Sequence, residues 1–476
     1  MRQTWLIPAL LAARLLTAEA LANEVNAPTS GAENAGERVE RLFRENQERF
    51  AGNTNVLVRP GLTADRTRRC VTLWARTTGI GANDPIEFFL IGEESGHDYE
   101  AIAVSSAGAG DIHEALTFIG VEPGHPVRGN KLEFWPKGER VVARLTCETA
   151  NPPIGPVRLE RLIWNRDTGA PMPETGLVFV GSYRVDAPGL AMDGAYAADV
   201  SAPYSIASNY NEPTTVLDVP RRAPQGEVYN FQFLNPGYVL PTQALVTITM
   251  EPERPPGQRR VTDLFLDILP GPGASSNGLS AARMTVTGSG GTAFPGANDL
   301  NGVLAAFVRL REQDRDPFVV VRFDERLRLT TLRDLCRVLE SVDTENGIRI
   351  EPPPPGHLYY RAFLPDPSYR NRETRFSQPW ELALTRGEDG VRGTLTEIKE
   401  IWKDDGSLRP ELDVREQAVP TPEVLRETLA RRGPGVPVIL VLAQADLTYG
   451  DVMYYIRPVL DEYPTVHVFI PDRTDG

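Results

Sequence analysis

The chain has 476 residues, with 50 Lys plus Arg against 64 Asp plus Glu, a formal net charge of −14, 41 Gly, 41 Pro and only 3 Cys. At roughly 100 to 200 residues per domain this length predicts several folded units, and a hydrophobic fraction of 41% supplies real cores, which excludes a wholly disordered chain. The acidic balance argues against nucleic acid and against anionic membrane surfaces, because both need clustered Lys and Arg.

The N-terminus opens with Arg2, an apolar stretch from Trp5 to Leu16 and then Ala20-Leu21-Ala22. This order predicts a signal peptide over residues 1–22 and a periplasmic or secreted product. No later run reaches the roughly 18 to 20 apolar residues that span a bilayer, so no transmembrane segment is expected in the mature chain. Residues 23–52 read as a polar linker followed by a short helix, in which Val39, Leu42, Phe43 and Phe50 recur at helical spacing.

From 53 to 255 the period changes. Short runs such as Ile86 to Ile91, Val141 to Leu145, Leu177 to Tyr183 and Leu245 to Met250 alternate with Gly, Pro, Asn and Asp, which predicts a mostly β domain. One helix interrupts it. Asp111 and Glu114 have capping-box spacing, Ala115, Leu116 and Ile119 form an apolar stripe, and Gly120 stands where a terminating glycine belongs. Cys70, Cys147 and Cys336 lack metal-ligand spacing; at most one disulfide, between Cys70 and Cys147, competes with free thiols.

Several motifs in this domain resemble the YdjY-domain family. They are Asp111-Ile112-His113-Glu114-Ala115-Leu116 with Gly120-Val121-Glu122-Pro123-Gly124, then Asp167-Thr168-Gly169 leading to Phe179-Val180-Gly181-Ser182. Ala198-Asp199-Val200, Ser205-Ile206-Ala207-Ser208-Asn209 and Asn235-Pro236 with Pro241-Thr242 follow in order. The resemblance implies a secreted domain without an assigned molecular role. The cysteine clusters behind the ferredoxin-like label of some relatives are missing, so an electron-transfer role does not carry over.

Residues 256–280, with Pro270-Gly271-Pro272-Gly273, read as a linker, and 281–350 as a small α/β unit. Its stripes are Leu300, Val303, Leu304, Phe307, Leu310 and then Leu332, Leu335, Val338, Leu339, Val342, around the strand run Phe318 to Phe323. A Pro-rich linker at 351–378 precedes a second α/β unit at 379–476. There Thr421-Pro422 begins a helix, Val438 to Leu442 is a strand, Thr448 with Asp451 caps the next helix, and Val466 to Ile470 closes with a strand. The recurrence predicts an internal duplication.

In the second unit, Val438-Ile439-Leu440-Val441-Leu442 followed by Asp446-Leu447-Thr448-Tyr449-Gly450-Asp451-Val452 is similar to the periplasmic domain of ExbD/TolR biopolymer-transport proteins. The fold class expected is therefore multidomain: a mostly β N-terminal domain plus two tandem small α/β modules. Because such domains pair as dimers, the resemblance implies that the two modules pair within one chain. The middle module is charge-balanced between acidic neighbours, and its Arg322, Arg326, Arg328, Arg333 and Arg337 suggest docking on the last module through charge.

No nucleophile elbow, zinc-protease helix or phosphate loop is present, and Gly288-Ser289-Gly290-Gly291 lacks the Lys-Ser/Thr pair of a phosphate loop. The histidines stand apart in sequence. His97, Glu100 and His113 are the candidate metal or acid–base residues, against placement of His97 in a turn and His113 on an exposed helix face. Asp446, Tyr449 and Asp451 are candidate interaction residues, against a helix cap and a core-edge aromatic. No cofactor is expected. The function expected is that of a non-enzymatic exported envelope scaffold or protein-interaction module, with envelope proteins or peptidoglycan as partners. The alternatives are a redox or metal accessory protein or enzyme with its site in the β domain, and a glycan-binding protein using Tyr454, Tyr455 and Trp402.

Overall fold

The computed structural model describes residues 33–271, 282–345, 348–365, 380–388, 390–401, 411–431 and 438–471. The signal-peptide segment and Trp402 lie outside the described residues. A first helix, α1 (Ala35–Arg49), is capped by Asn34 and Glu37 in reciprocal hydrogen bonds of 2.9 and 3.0 Å. Of its apolar stripe only Val39 is buried.

The N-terminal domain is built on eight strands: β1 (Cys70–Thr77), β2 (Phe88–Ile91), β3 (Ala101–Ser105), β4 (Arg140–Cys147), β5 (Leu177–Phe179), β6 (Ser205–Ser208), β7 (Leu217–Asp218) and β8 (Leu245–Pro252). They hydrogen-bond in the order β1-β8-β4-β5-β7-β6-β2-β3, and β3 returns to β1, so the sheet closes like a barrel. Closure removes free edges. The long strands alternate as a half-buried sheet should: in β8, Val246, Ile248 and Met250 point into the core while their neighbours do not. One edge of β1 is shared, with Leu62–Asp65 pairing its first half and β3 its end.

Helix α2 (Ala109–Phe118) packs Ile112, Ala115 and Leu116 into that core. Its N-terminus differs from the expected capping box. Gly108 is the cap position and supplies no side chain; instead Asp199, about ninety residues on, accepts from the amides of Ala109 and Gly110 at 2.7 and 2.9 Å. Asp111 sits within the first turn, and Glu114 pairs with Arg59 at 2.8 Å. Gly120, at φ 81°, ends the helix as expected.

The next strand corrects a boundary. Val261–Leu269, inside the segment expected to be a linker, is β9, a central strand flanked by β10 (Arg283–Gly288) and β11 (Asp316–Phe323). With α3 (Leu300–Glu312), α4 (Leu329–Glu345) and β12 (Arg349–Glu351) it makes a sheet of order β10-β9-β11-β12. The second unit contains β14 (Trp380–Gly387), β15 (Gly390–Ile401), β16 (Glu411–Val419), α5 (Pro422–Ala430), β17 (Val438–Ala443), α6 (Tyr449–Ile456) and β18 (Thr465–Ile470). Strands β15-β14-β17-β18 repeat the first order, with the same antiparallel first pair and the same two parallel pairs.

The expected Pro-rich linker is also corrected in part. After Pro352 to Pro355 the chain buries Leu358, Tyr359, Tyr360 and Phe363, and β13 (Phe363–Pro365) adds to the edge of β18. Residues 366–379 lie outside the described residues. The apolar aromatic run, not the prolines, decides where this segment goes.

The two units meet through a symmetric pair of backbone bonds. Leu329 donates to the Leu447 carbonyl at 2.9 Å and Tyr449 donates to the Leu327 carbonyl at 2.8 Å, with Arg328 opposite Thr448 between them. Each donor is the first residue of its helix and each acceptor lies two residues earlier. Around this pair one apolar cluster runs through both units, and the rings of Phe323, Phe363 and Tyr449 stand 5.7 to 6.0 Å apart.

Two of the clustered arginines pair within their own unit, Arg322 with Asp267 and Arg326 with Asp324. Across the contact, Arg333 donates to the Pro471 carbonyl at 3.0 Å, and an arginine of the second unit, Arg457, meets Glu325 at 3.0 Å.

Half-buried ion pairs join the barrel to the first α/β unit. Glu351 accepts from Lys137 and lies 3.0 Å from His125, while Asp316 is held between Arg140 and Arg349 at 3.1 and 3.3 Å. Burial alone would raise the carboxyls of Glu351 and Asp316. For Glu351 the His125 hydrogen bond and Lys137 reverse this, and for Asp316 the two arginines do, so both sit below the ordinary carboxylate value. Asp343 is a second junction. It accepts from Trp135 Nε1 (2.6 Å), Tyr360 Oη (2.7 Å), Arg361 (2.8 Å) and the Ile350 amide (3.2 Å).

Candidate functional site

The site grows from two consecutive barrel strands. A single 3-10 turn, Asp98–Glu100, leads into β3, and His97 precedes it, so His97 and Glu100 stand three residues apart on one side of the turn. Their side chains meet, His97 Nδ1 lying 2.5 Å from Glu100 Oε1. Glu87 enters beside them from the start of β2; its amide donates to the Glu100 carbonyl at 2.9 Å. Gln225, from the short helix Gln225–Val228, donates to Glu87 Oε2 at 2.8 Å.

Together these groups floor a cleft of about 610 Å³. Glu87 is 2% exposed and Glu100 6%, whereas Tyr99 and Tyr229 at the walls are 65% and 43% exposed. Phe88 holds the imidazole of His97 edge-on at 6.2 Å and Tyr210 at 5.7 Å, and Tyr210 donates to Glu212 at 2.7 Å. Burial pushes the Glu87 carboxyl up; the Gln225 bond opposes this and the charge of Glu100 adds to it. Burial likewise raises the Tyr210 phenol, assisted by Glu212. The arrangement is an acidic floor under aromatic walls, able to bind positive charge.

His113 does not join this group. It stands on α2 in a separate cleft, its Nδ1 2.6 Å from Tyr196 Oη and 3.2 Å from the Gly181 carbonyl, with the Phe179 ring 5.1 Å away. The expectation of an exposed helix face is therefore corrected: His113 is half-buried, and burial lowers its pKa against the opposing Gly181 bond. Among the described residues no three His, Cys, Asp or Glu side chains are grouped to hold a metal ion. The expected cluster of His97, Glu100 and His113 is thus divided, since helix and turn face different clefts.

Of the second-unit candidates, Tyr449 lies at the contact with the first unit, while the two aspartates face their own unit. Tyr449 is buried, accepts from the Leu358 amide at 3.2 Å, and burial raises its phenol to about 12. Asp451 caps α6 reciprocally with Thr448 and, like Asp446, pairs with Arg386. Tyr455 is also buried, donating to the Pro420 carbonyl at 2.9 Å, so the expected exposed pair of tyrosines is reduced to Tyr454. All three cysteines are free thiols.

Glu87 and Gln225 escape notice in the sequence because one precedes a strand run and the other sits in a four-residue helix. An acidic residue beside four consecutive apolar ones was the available signal for Glu87. The Gly288 to Gly291 run is a loop after β10, as its composition suggests. No helix among the described residues is long and apolar enough to cross a membrane, which says nothing of strands. No known protein-family model matches the chain, and no curated protein matches it.

Proposed function

We propose that this chain is a non-enzymatic scaffold of the cell envelope, exported by its N-terminal segment, in which a YdjY-like barrel is carried on two ExbD/TolR-like modules paired within one chain. The observation that supports it is the reciprocal bonding of Leu327 and Leu329 with Leu447 and Tyr449. Two like units joined in this way bury the surface between them, fill it with aromatic rings and leave their outer faces fixed. Such a body suits holding envelope proteins or peptidoglycan at set positions. Recovery of the full chain from fractionated native cells tests the reading. It expects the chain in the envelope fraction with a partner at fixed stoichiometry; a free cytoplasmic chain contradicts it.

The pairing of His97 with Glu100 beside Glu87 favours a second reading, a metal or redox accessory protein or an enzyme acting in the barrel cleft. Elemental analysis of protein purified without chelators separates the two, because a stoichiometric metal removed by Glu100→Gln supports the second and no metal supports the first.

A further inference from the structure

The barrel cleft is floored by two carboxyl groups that no Lys or Arg meets among the described residues. Glu87 and Glu100 are each more than nine-tenths buried, yet the side-chain donors that meet them are Gln225 and His97. Neither forms a salt bridge with Lys or Arg among the described residues. Arg76, near the same turn, is taken up by Asp98 at 3.7 Å and by Gln243 at 3.1 Å. Buried acids elsewhere in the protein are met in both ways: Asp343 has Arg361 and Glu160 has Arg158, whereas Asp218 and Glu212 meet neutral donors among the described residues. Burying a carboxylate without a counter-charge is costly, and the cost is removed when a cation arrives.

The geometry narrows the cation. Gln225 occupies Oε2 of Glu87, and among the described residues no donor meets Oε1, so a carboxyl group lining the cleft keeps one oxygen without a donor. Such an oxygen can accept an N–H of an ammonium or guanidinium group. The walls ask for something larger than an inorganic ion, because Tyr99 and Tyr229 present rings on which an alkyl stem or a cation can lie. A volume of about 610 Å³ suits a small organic molecule.

We propose that the cleft binds a small organic cation bearing N–H donors, a primary amine or guanidinium compound, with its charged end on Glu87 and Glu100 and its stem between Tyr99 and Tyr229. This goes beyond the scaffold reading and stands without it. The expectation is that the full chain binds cadaverine or agmatine in calorimetry, and that choline, which has charge without N–H, binds at least about tenfold more weakly. Glu87→Gln keeps the Gln225 contact side and removes the charge, and it is expected to weaken binding by about tenfold or more. Tyr229→Ala, at an exposed position where folding is not at stake, is expected to weaken it several-fold. Three results overturn the proposal: no heat with either amine at about 10 mM, equal affinity in Glu87→Gln, or choline binding as tightly as the amines.

Discussion

Tyr449 donates its backbone N–H to the carbonyl of Leu327 at 2.8 Å, and Leu329 returns the same bond to Leu447 at 2.9 Å. Gly450 makes that approach close. A Cβ there would stand 2.9 Å from both Cβ and the carbonyl oxygen of Glu325, whose carbonyl accepts the Gly450 amide at 2.8 Å. Gly450→Ala is expected to cost about 1–3 kcal/mol in chemical denaturation, because backbone has to move. Gly129→Ala, which meets open space, is expected to stay within about 0.5 kcal/mol. Equal effects of the two would remove the argument for close docking.

Asp343 gathers donors from the barrel, from β12 and from the segment that carries Tyr360 and Arg361. Asp343→Ala leaves those donors buried without their acceptor, and a loss of about 3–5 kcal/mol is expected. Tryptophan fluorescence during unfolding checks it, since Trp135 is one of the donors. A loss below about 1 kcal/mol would show that water replaces the carboxylate.

Asp199 serves as a remote cap for α2. Asp199→Ala is expected to destabilise by about 1 kcal/mol, the usual worth of a cap, while Asp111→Ala, which leaves both bonded amides alone, costs less. The reverse ranking in denaturant midpoints would restore the local capping box.

Much of this organisation is legible in the chain, and what is hidden has a common cause. The helices starting at Thr421 and Thr448 are read correctly because cap, stripe and following strand lie within one short window. The barrel strands are visible as runs, but closure depends on β1 pairing with β3 and β8, which no local pattern encodes. Strand β9 is masked by the Pro and Gly that follow it. Remote partners are hidden altogether: Asp199 caps a helix ninety residues earlier, and Lys137 meets Glu351 across 214 positions. At the cleft, His97 and Glu100 were visible because they are local to each other, whereas Glu87 and Gln225 join them only through folding.

The pH dependence of stability follows from the sign of each shift. Glu351 sits below its ordinary value of 4.5 in the fold, so its contribution is present above that value and is lost as the pH falls through the folded pKa. Glu87 is raised, so its contribution is present below 4.5 and lost as the pH rises through its folded pKa. Denaturant titrations from about pH 7 to about pH 3 are expected to show a shallower acid loss in Glu351→Gln and a steeper one in Glu87→Gln. The same slope in both variants and the parent would contradict these assignments.

The account rests most heavily on the pairing of the two α/β units within one chain. Hydrogen exchange at the amides of Leu329 and Tyr449, followed by mass spectrometry over a wide range of protein concentration, tests it directly. The prediction is protection at both amides comparable to that of the central strands β11 and β17, independent of concentration. Rapid exchange at both, or protection that rises with concentration as pairing between chains would require, would contradict it.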